Sequence, residues 1–310
     1  MNDFDVIGIG ANSVDYVYVL PEFPRPDSAA AKLPITRHLV TCGGQTATTL
    51  CTCASMGLRT KYVGAIGSDA NGHRIWEALA GRRIDVEDVV ISSAGNPYAV
   101  ILIDERHGER VVLWNRHPAL EVPREAIETA LASRPRLLHV DDTDTAAAIT
   151  AAQVARRAGI PVTSDIERIT DGIEALIATV TVPIFDEHVL FALTGERDFE
   201  RGLRAVRRLR LRVNPEDTTD FQMVCVTLGA RGAMLLKGDE VHHAPAVPVE
   251  TVDTTGAGDV FRGAFIVALL RGDTPADILR FANAAAAISC TRIGAMESVP
   301  TLEEVQRRLL

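Results

Sequence analysis

The sequence predicts an α/β fold in which a central, mostly parallel sheet has helices on both faces and carries a small second sheet. Three observations predict it. Short unbroken apolar runs such as Val6-Ile7-Gly8-Ile9, Leu137-Leu138-His139-Val140 and Met223-Val224-Cys225-Val226 are the pattern of strands buried on both faces. From about Pro123 these runs alternate with helical periodicity, as βαβ units do. Before that point residues 86–91, 98–104 and 110–114 follow one another with only Gly and Asn-Pro breaks, and successive strands without helices are not βαβ units.

In chain order, residues 5–10 form the first buried strand. Gly8 and Gly10 begin a G-x-G-x-x-G whose third position is Ser13, and Asp15-Tyr16-Val17-Tyr18-Val19 alternates like a strand, so the dinucleotide-binding fingerprint fails in its own context. Residues 32–41 read as a strand and residues 45–56 as a helix of small residues; between them Gly43 and Gly44 allow a ligand to approach the backbone. Residues 59–66 are expected as one core strand, 67–72 as a polar turn and 72–80 as a helix. The strands at 86–91, 98–104 and 110–114 then join residues 14–20 and 33–41 in a small antiparallel sheet, built from insertions near 14–40 and 96–115.

Beyond Pro123, the strand at 137–140 ends at Asp141-Asp142, that at 161–163 ends at Asp165 and Glu167, and that at 180–185 ends at Asp186-Glu187. Carboxylates thus gather at the C-terminal ends of three parallel strands, the edge where open α/β sheets bind ligands; hard oxygens there suit Mg²⁺ carried with a nucleotide. Leu203, Val206, Leu209 and Val213 recur at helical spacing through the basic run 201–212, which reads as a solvated helix face. A strand at 223–227, a hairpin of 233–236 with 240–243, and helices at 260–269 and 275–290 complete a single domain, 1–310.

Composition narrows the function. The chain has 310 residues, 47% hydrophobic and 24% charged, with a formal net charge of −9, and its scattered Lys and Arg argue against a nucleic-acid partner. No stretch has the roughly 18 apolar residues of a membrane span, and the acidic start Met1-Asn2-Asp3-Phe4-Asp5 is unlike a signal peptide; the expected location is cytoplasmic. Cys42, Cys51, Cys53, Cys225 and Cys290 form neither a CxxC pair nor an even disulfide framework, so buried free thiols are expected.

The stretch from Val252 to Phe261 carries the chemistry. Gly256, Ala257 and Gly258 let a turn gather several backbone N–H groups directly before a helix, whose N-terminus bears roughly half a positive charge and unpaired N–H donors. Phosphate suits such a place. Asp259, in the first turn beside it, is positioned to act as a base.

The wider string DTTGAGDVFRGAF resembles the C-terminal signature of the ribokinase-like, or PfkB, family of sugar and nucleoside kinases. The resemblance covers essentially the whole chain and implies a ribokinase-like fold whose small sheet is a lid over the sugar. The activity it implies is transfer of the γ-phosphoryl of MgATP to a hydroxyl of a small sugar. By that resemblance Asp259 is the general base, and the amides of Gly256, Ala257 and Gly258 hold developing charge. Asp15, Asp27, Gly43, Gly44, Gln45, Thr48 and Arg116 fall at substrate positions. Thr227, Gly229 and Gly232 match a T-x-G-x-x-G that meets ATP, and Asn283 falls where members contact adenine. Asp186 takes the first position of an Asn-x-x-Glu that helps place Mg²⁺. Asp253, Thr255, Gly294 and Ser298 match positions that hold a monovalent cation, such as K⁺, in some relatives.

Three departures stand out: Thr48 where members usually have Asn, Gln45 where they often have Lys or Asn, and Val189 in place of the Glu. The segments 252–265 and 290–300, with Asp165-Ile166-Glu167, look nearer to sulfofructose-kinase and ketohexokinase-like members. The expected substrate is therefore a ketose or related small sugar, with Arg116 or Arg168 as counter-ion if it is anionic. A homodimer through the lid is also implied. The alternatives are a nucleoside kinase, for which only Tyr16 and Tyr18 offer a stacking surface near Asp15, and a catalytically silent sugar-binding regulator, suggested by the missing Glu.

Overall fold

Strand alternation sets the layers. In the computed structural model, which describes residues 3–107, 109–213 and 223–310, the chain runs β1 (Val6–Ile9), β2 (Ser13–Leu20), β3 (Arg37–Gly43), α1 (Gln45–Ser55), β4 (Thr60–Val63), β5 (Ala65–Gly67), α2 (Ala70–Gly81), β6 (Val90–Ser92), β7 (Tyr98–Asp104) and β8 (Arg110–Asn115). It continues through α3 (Arg124–Leu131), β9 (Leu137–Asp141), α4 (Thr145–Arg157), β10 (Val162–Ile166), α5 (Ile173–Thr179), β11 (Val182–Asp186), α6 (Glu187–Thr194) and α7 (Phe199–Val213). The last part is β12 (Val224–Thr227), β13 (Ala233–Lys237), β14 (Glu240–Ala244), α8 (Ala257–Arg271), α9 (Pro275–Ser289) and α10 (Leu302–Leu309). Met1 and Asn2 of the acidic start lie outside the described residues.

The large sheet has the order β14-β13-β12-β11-β10-β9-β1-β4. The strands from β4 to β12 pair in parallel, and the β13–β14 hairpin adds an antiparallel edge. Successive residues of a strand face opposite sides: Val6 and Leu137 pack into the core with Leu50 of α1, Phe265 of α8 and Leu279 of α9, whereas Ile7 and Leu138 pack with Ile127 of α3, Ala151 of α4 and Leu203 of α7. Two cores, one on each face, hold the parallel strands in register and bring their C-terminal ends to one edge. Cys42, Cys51, Cys53 and Cys225 are buried free thiols, and Cys290 is half-buried.

Four expectations need correction. The strand expected at 59–66 breaks at Gly64, where a side chain would strike the Tyr62 hydroxyl; its second half, β5, leaves the large sheet and pairs in parallel with β6. The small sheet therefore lacks the 86–91 strand, and its order β3-β2-β7-β8 is mixed, because β2 and β7 run parallel. The strand expected from residue 32 begins at Arg37, after the short 3-10 turn Ala29–Ala31. The basic run 201–212 is largely a solvated face, but Arg210 is buried and donates to the Val180 carbonyl at 3.2 Å.

Candidate active site

The loop before α8 is tied down by Asp253. Its Oδ1 accepts from the backbone N–H of Thr255 at 2.9 Å and from the Thr255 hydroxyl at 2.7 Å, and its Oδ2 accepts from the Gly294 N–H at 3.0 Å. Gly256 then adopts a left-handed φ of 76° and starts α8 without a side-chain cap. Of the three cradle residues Ala257 is already engaged, its N–H donating to the Thr254 carbonyl at 3.2 Å. Asp259 sits in the first turn and is buried, 8% exposed.

Two other elements and α8 itself deliver charge to this point. Asp142, at the end of β9, accepts from the backbone N–H groups of Glu167 and Arg168, both at 2.7 Å, and from Arg168 Nη2 at 2.6 Å. That pins the exit of β10, so carboxylate oxygens of Asp165, Glu167 and Asp259 all lie within 4.8 Å of one another. From α8 itself, Arg262 Nη2 lies 2.7 Å from Asp165 Oδ1, and Nη1 lies 3.5 Å from Glu167 Oε1. Burial, then the Glu167 charge, push the Asp259 carboxyl up, while Arg262 and Asp165 pull it back. Sequence reasoning missed Arg262 as a site residue, although it stands one helical turn after Asp259.

The other wall is formed by β2, β3 and α1. Asp15 is buried on β2 and accepts from the Ser13 hydroxyl at 2.7 Å; burial pushes its carboxyl up to about 6. A Cβ on Gly43 would come 2.7 Å from Asp15 Oδ2, so the glycine is what gives that carboxylate room. Gly44, at φ 101°, begins α1 with its backbone against Asn12. Among the described residues, the buried Thr41 and Thr48 hydroxyls and Gln45 Nε2 have no hydrogen-bond partner, an arrangement that leaves polar groups for a ligand. Gln45 Oε1 accepts from Thr143 Oγ1 at 3.0 Å and Arg168 Nη2 at 3.3 Å.

Two residues expected here are placed otherwise. Asp27 is exposed, in the turn that precedes Ala29–Ala31. Arg116 donates to the Leu120 carbonyl and lies 3.9 Å from Asp144 Oδ2, at a small cavity that also includes Gly10, Asn12 and Thr143. In its place the small sheet sends Arg110, whose Nη1 donates to the hydroxyls of Thr254 at 2.8 Å and Thr255 at 3.2 Å. Nothing local in the sequence signals that contact, which joins residues more than 140 positions apart.

The sequence model of the pfkB family carbohydrate kinases matches residues 10–302. The chain belongs to that family. The ribokinase of Haemophilus influenzae is 27% identical over 303 residues, covering 96% of this chain and 95% of that protein. The nucleoside kinase of Methanothermobacter thermautotrophicus is 28% identical over 311 residues, covering 99% and 96%. The crystal structure of a ribokinase from Thermotoga maritima superposes with a TM-score of 0.82 at 26% identity, covering 99% of each chain. The enzyme is thus an ATP-dependent phosphotransferase with an alcohol group as acceptor.

The remaining positions of this PfkB kinase lie at the ends of β11 and β12, in the turn after β12, on α9 and in the segment before α10. Thr227 ends β12 and donates its hydroxyl to the Phe185 carbonyl at 3.3 Å. Gly229 and Gly232 bracket the following turn at φ 55° and 90°, and a side chain on Gly232 would strike the Ala244 carbonyl. Asn283 on α9 is buried, and its Nδ2 donates to the carbonyls of Ala244 at 2.9 Å and Pro245 at 3.1 Å. Its amide donor therefore braces the β14 exit instead of standing free for adenine. Asp186 caps α6, accepting the His188 N–H at 2.7 Å, and Val189 is buried. Ser298 is buried with its hydroxyl donating to the Ala295 carbonyl at 2.9 Å.

Proposed function

We propose that this PfkB kinase phosphorylates a neutral small sugar, a ketose or close relative, with Asp259 as the general base. The observation that carries the reading is the buried Asp259 carboxylate in the first turn of α8, directly behind the uncapped Gly256 start. Both cations considered as counter-ions are compensated, Arg116 by Asp144 and Arg168 by Asp142, which favours an uncharged acceptor. Asp15, Gly43, Gln45 and Thr48 then bind the sugar hydroxyls, with the small sheet as the lid. The nucleoside reading has less support, because the Tyr16 hydroxyl is bonded to Asn71 and the Tyr18 ring stacks on His38.

In the reaction, Asp259 takes the proton as the sugar O–H breaks. The freed oxygen forms its bond to the γ-phosphorus, and the bond to the bridging oxygen breaks with its electron pair leaving on ADP. Such a transfer depends mainly on positioning and electrostatics, supplied here by the amides at the start of α8 and by Arg110 above them. Mg²⁺ bound with ATP neutralises phosphate oxygens; of the two family positions for it Asp186 fits, whereas buried Val189 has no oxygen to give. Asp253 holds Thr255 and the distant Gly294 together through its two carboxylate oxygens, and Arg110 Nη1 lies 3.9 Å from Asp253 Oδ1, so the position of a monovalent cation already has a positive charge beside it and K⁺ is expected to change turnover little. The exposed Val111, Val112, Leu113 and Trp114 on β8 support pairing of two copies through the lid, since an apolar edge strand favours association.

The test is ADP formation from MgATP across ketoses, aldoses, their phosphates and nucleosides, with and without K⁺. A neutral sugar as the best substrate supports the reading, and a nucleoside or phosphorylated sugar would overturn it. Asp259→Asn is expected to bind nucleotide nearly as before and lose roughly 10²–10⁴ in turnover, the range of a general base.

A further inference from the structure

Arg262 is 1% exposed and sits one turn behind the base, inside a group of acids. A buried guanidinium is costly to desolvate and is retained where it meets partners. Its nearest partner is Asp165 at 2.7 Å, which is fully buried, and the second is Glu167 at 3.5 Å, whose side chain is 42% exposed. The guanidinium passes under the cradle itself: a Cβ on Gly258 would come 2.6 Å from Arg262 Nη1 and 3.4 Å from Glu167 Oε1. Three carboxylates with oxygens within 4.8 Å have the spacing of a divalent-cation site, but here a side-chain cation already touches two of them.

We propose that Arg262 is a positioning residue for phosphoryl transfer: it holds Asp165 and Glu167 around Asp259 and sets how readily Asp259 takes up the hydroxyl proton. The inference rests on the reading of Asp259 as the base. The groups that face Asp259 are Arg262 on α8, Asp165 on β10, Glu167 just beyond it, and Asp141 on β9. Asp141 has its own donors, the Ala11 N–H at 2.6 Å, the Thr46 hydroxyl at 2.7 Å and the Thr143 N–H at 2.9 Å. Asp165 lacks such donors: among the described residues neither of its oxygens accepts a hydrogen bond, and its contact with Arg262 is an ion pair only. Three carboxylates against one guanidinium leave a buried surplus of negative charge, which a proton shared between Asp165 and Asp259 relieves. Burial raises both carboxyls, and Arg262 opposes that rise in each. Without Arg262 the shared proton would be held too tightly for Asp259 to act as a base near neutral pH. Without Glu167 it would be held less tightly.

These two substitutions should move the same quantity in opposite directions, which a purely structural ion pair would not do. The measurement is kcat against pH, at saturating sugar and MgATP, for the full chain and for Arg262→Met, Arg262→Lys and Glu167→Gln. Saturation matters because kcat reports groups in the substrate complex, where Asp15 is covered by the sugar. One pH unit below the wild-type midpoint, Arg262→Met is expected to lose roughly tenfold more turnover than wild type, the scale of one opposite charge within contact distance. Arg262→Lys should recover most of that loss, and Glu167→Gln should shift the acid limb to lower pH. If Arg262→Met does not fold, the half-exposed Glu167 decides the matter by itself. Acid limbs that stay put, or that move the same way in both variants, overturn the proposal. Asp259→Asn in the same series separates the two ideas: with that variant dead and the limbs unmoved only the role of Arg262 fails, whereas an active Asp259→Asn removes the base reading itself.

Discussion

Gly256→Ala tests the cradle directly. At φ 76° an L-residue costs about 1–2 kcal/mol. The new Cβ would also lie 2.7 Å from Ala295 Cβ and 2.8 Å from Ala295 Cα, and backbone cannot rotate away as a side chain does, so overpacking adds about 1–3 kcal/mol. The sum, about 3 kcal/mol, corresponds to a fall in Tm of about 5 °C for a chain of this length. The shift needed to relieve the clash displaces the first amides of α8, and losing one well-aimed amide costs about 10²–10³ in kcat. Gly272 is the control, for it ends the same helix at φ 81° with nothing within 4 Å of a would-be Cβ. Gly272→Ala should carry the backbone strain alone, about 1–2 kcal/mol, with turnover unchanged. Differential scanning calorimetry and an ADP-release assay on both variants give the comparison. Equal stability and equal turnover in the two would refute the close approach of Gly256 to Ala295 as the reason for glycine there.

Asp15→Asn is expected to raise KM for the sugar with little change in kcat. In wild type kcat/KM should fall as the pH drops through about 6, where the buried Asp15 carboxyl takes up a proton; a sugar KM unaffected by the substitution would remove Asp15 from the site. Arg110→Ala removes the bridge from the small sheet to Thr254 and Thr255 and should lower kcat/KM roughly tenfold, on the scale of a lost charge-assisted hydrogen bond, while Tm stays near that of wild type. His139 is fully buried, bonded through Nδ1 to the Thr163 hydroxyl at 3.0 Å, and burial pushes its imidazole down to about 3. Unfolded, it takes up a proton below about 6.5, so between that pH and about 3 the unfolded state binds more protons and stability falls as pH falls. Relative to His139→Leu, wild type should therefore lose about 2 kcal/mol between pH 7 and pH 5 in urea titrations, and parallel losses would contradict the buried neutral imidazole.

The signature stretch was legible because its meaning is local. Gly256-Ala257-Gly258 followed by Asp259 and an apolar helix specifies a turn, a helix start and a first-turn carboxylate whatever surrounds it, and the buried strands at 5–10, 137–140 and 223–227 were readable from unbroken apolar runs. The mixed small sheet was not: whether β7 pairs parallel or antiparallel with β2 depends on how a distant loop returns, which residue type does not encode. The need for glycine at position 64, where the strand breaks, likewise comes from the Tyr62 hydroxyl that the fold brings beside it, and Asn283 was assigned by position although its amide braces Ala244 and Pro245. Charge partners were the least legible part. The sequence by itself determined where Asp259 stands, in the first turn of α8 behind Gly256, because a helix start is built from neighbouring residues. Only the tertiary structure decided that Glu167 and Asp165 close around Asp259 and Arg262, that Asp142 and Asp144 neutralise Arg168 and Arg116, and that Arg110 reaches the cradle, because Coulomb interactions follow distance in space and each of these contacts is made by packing separate elements together.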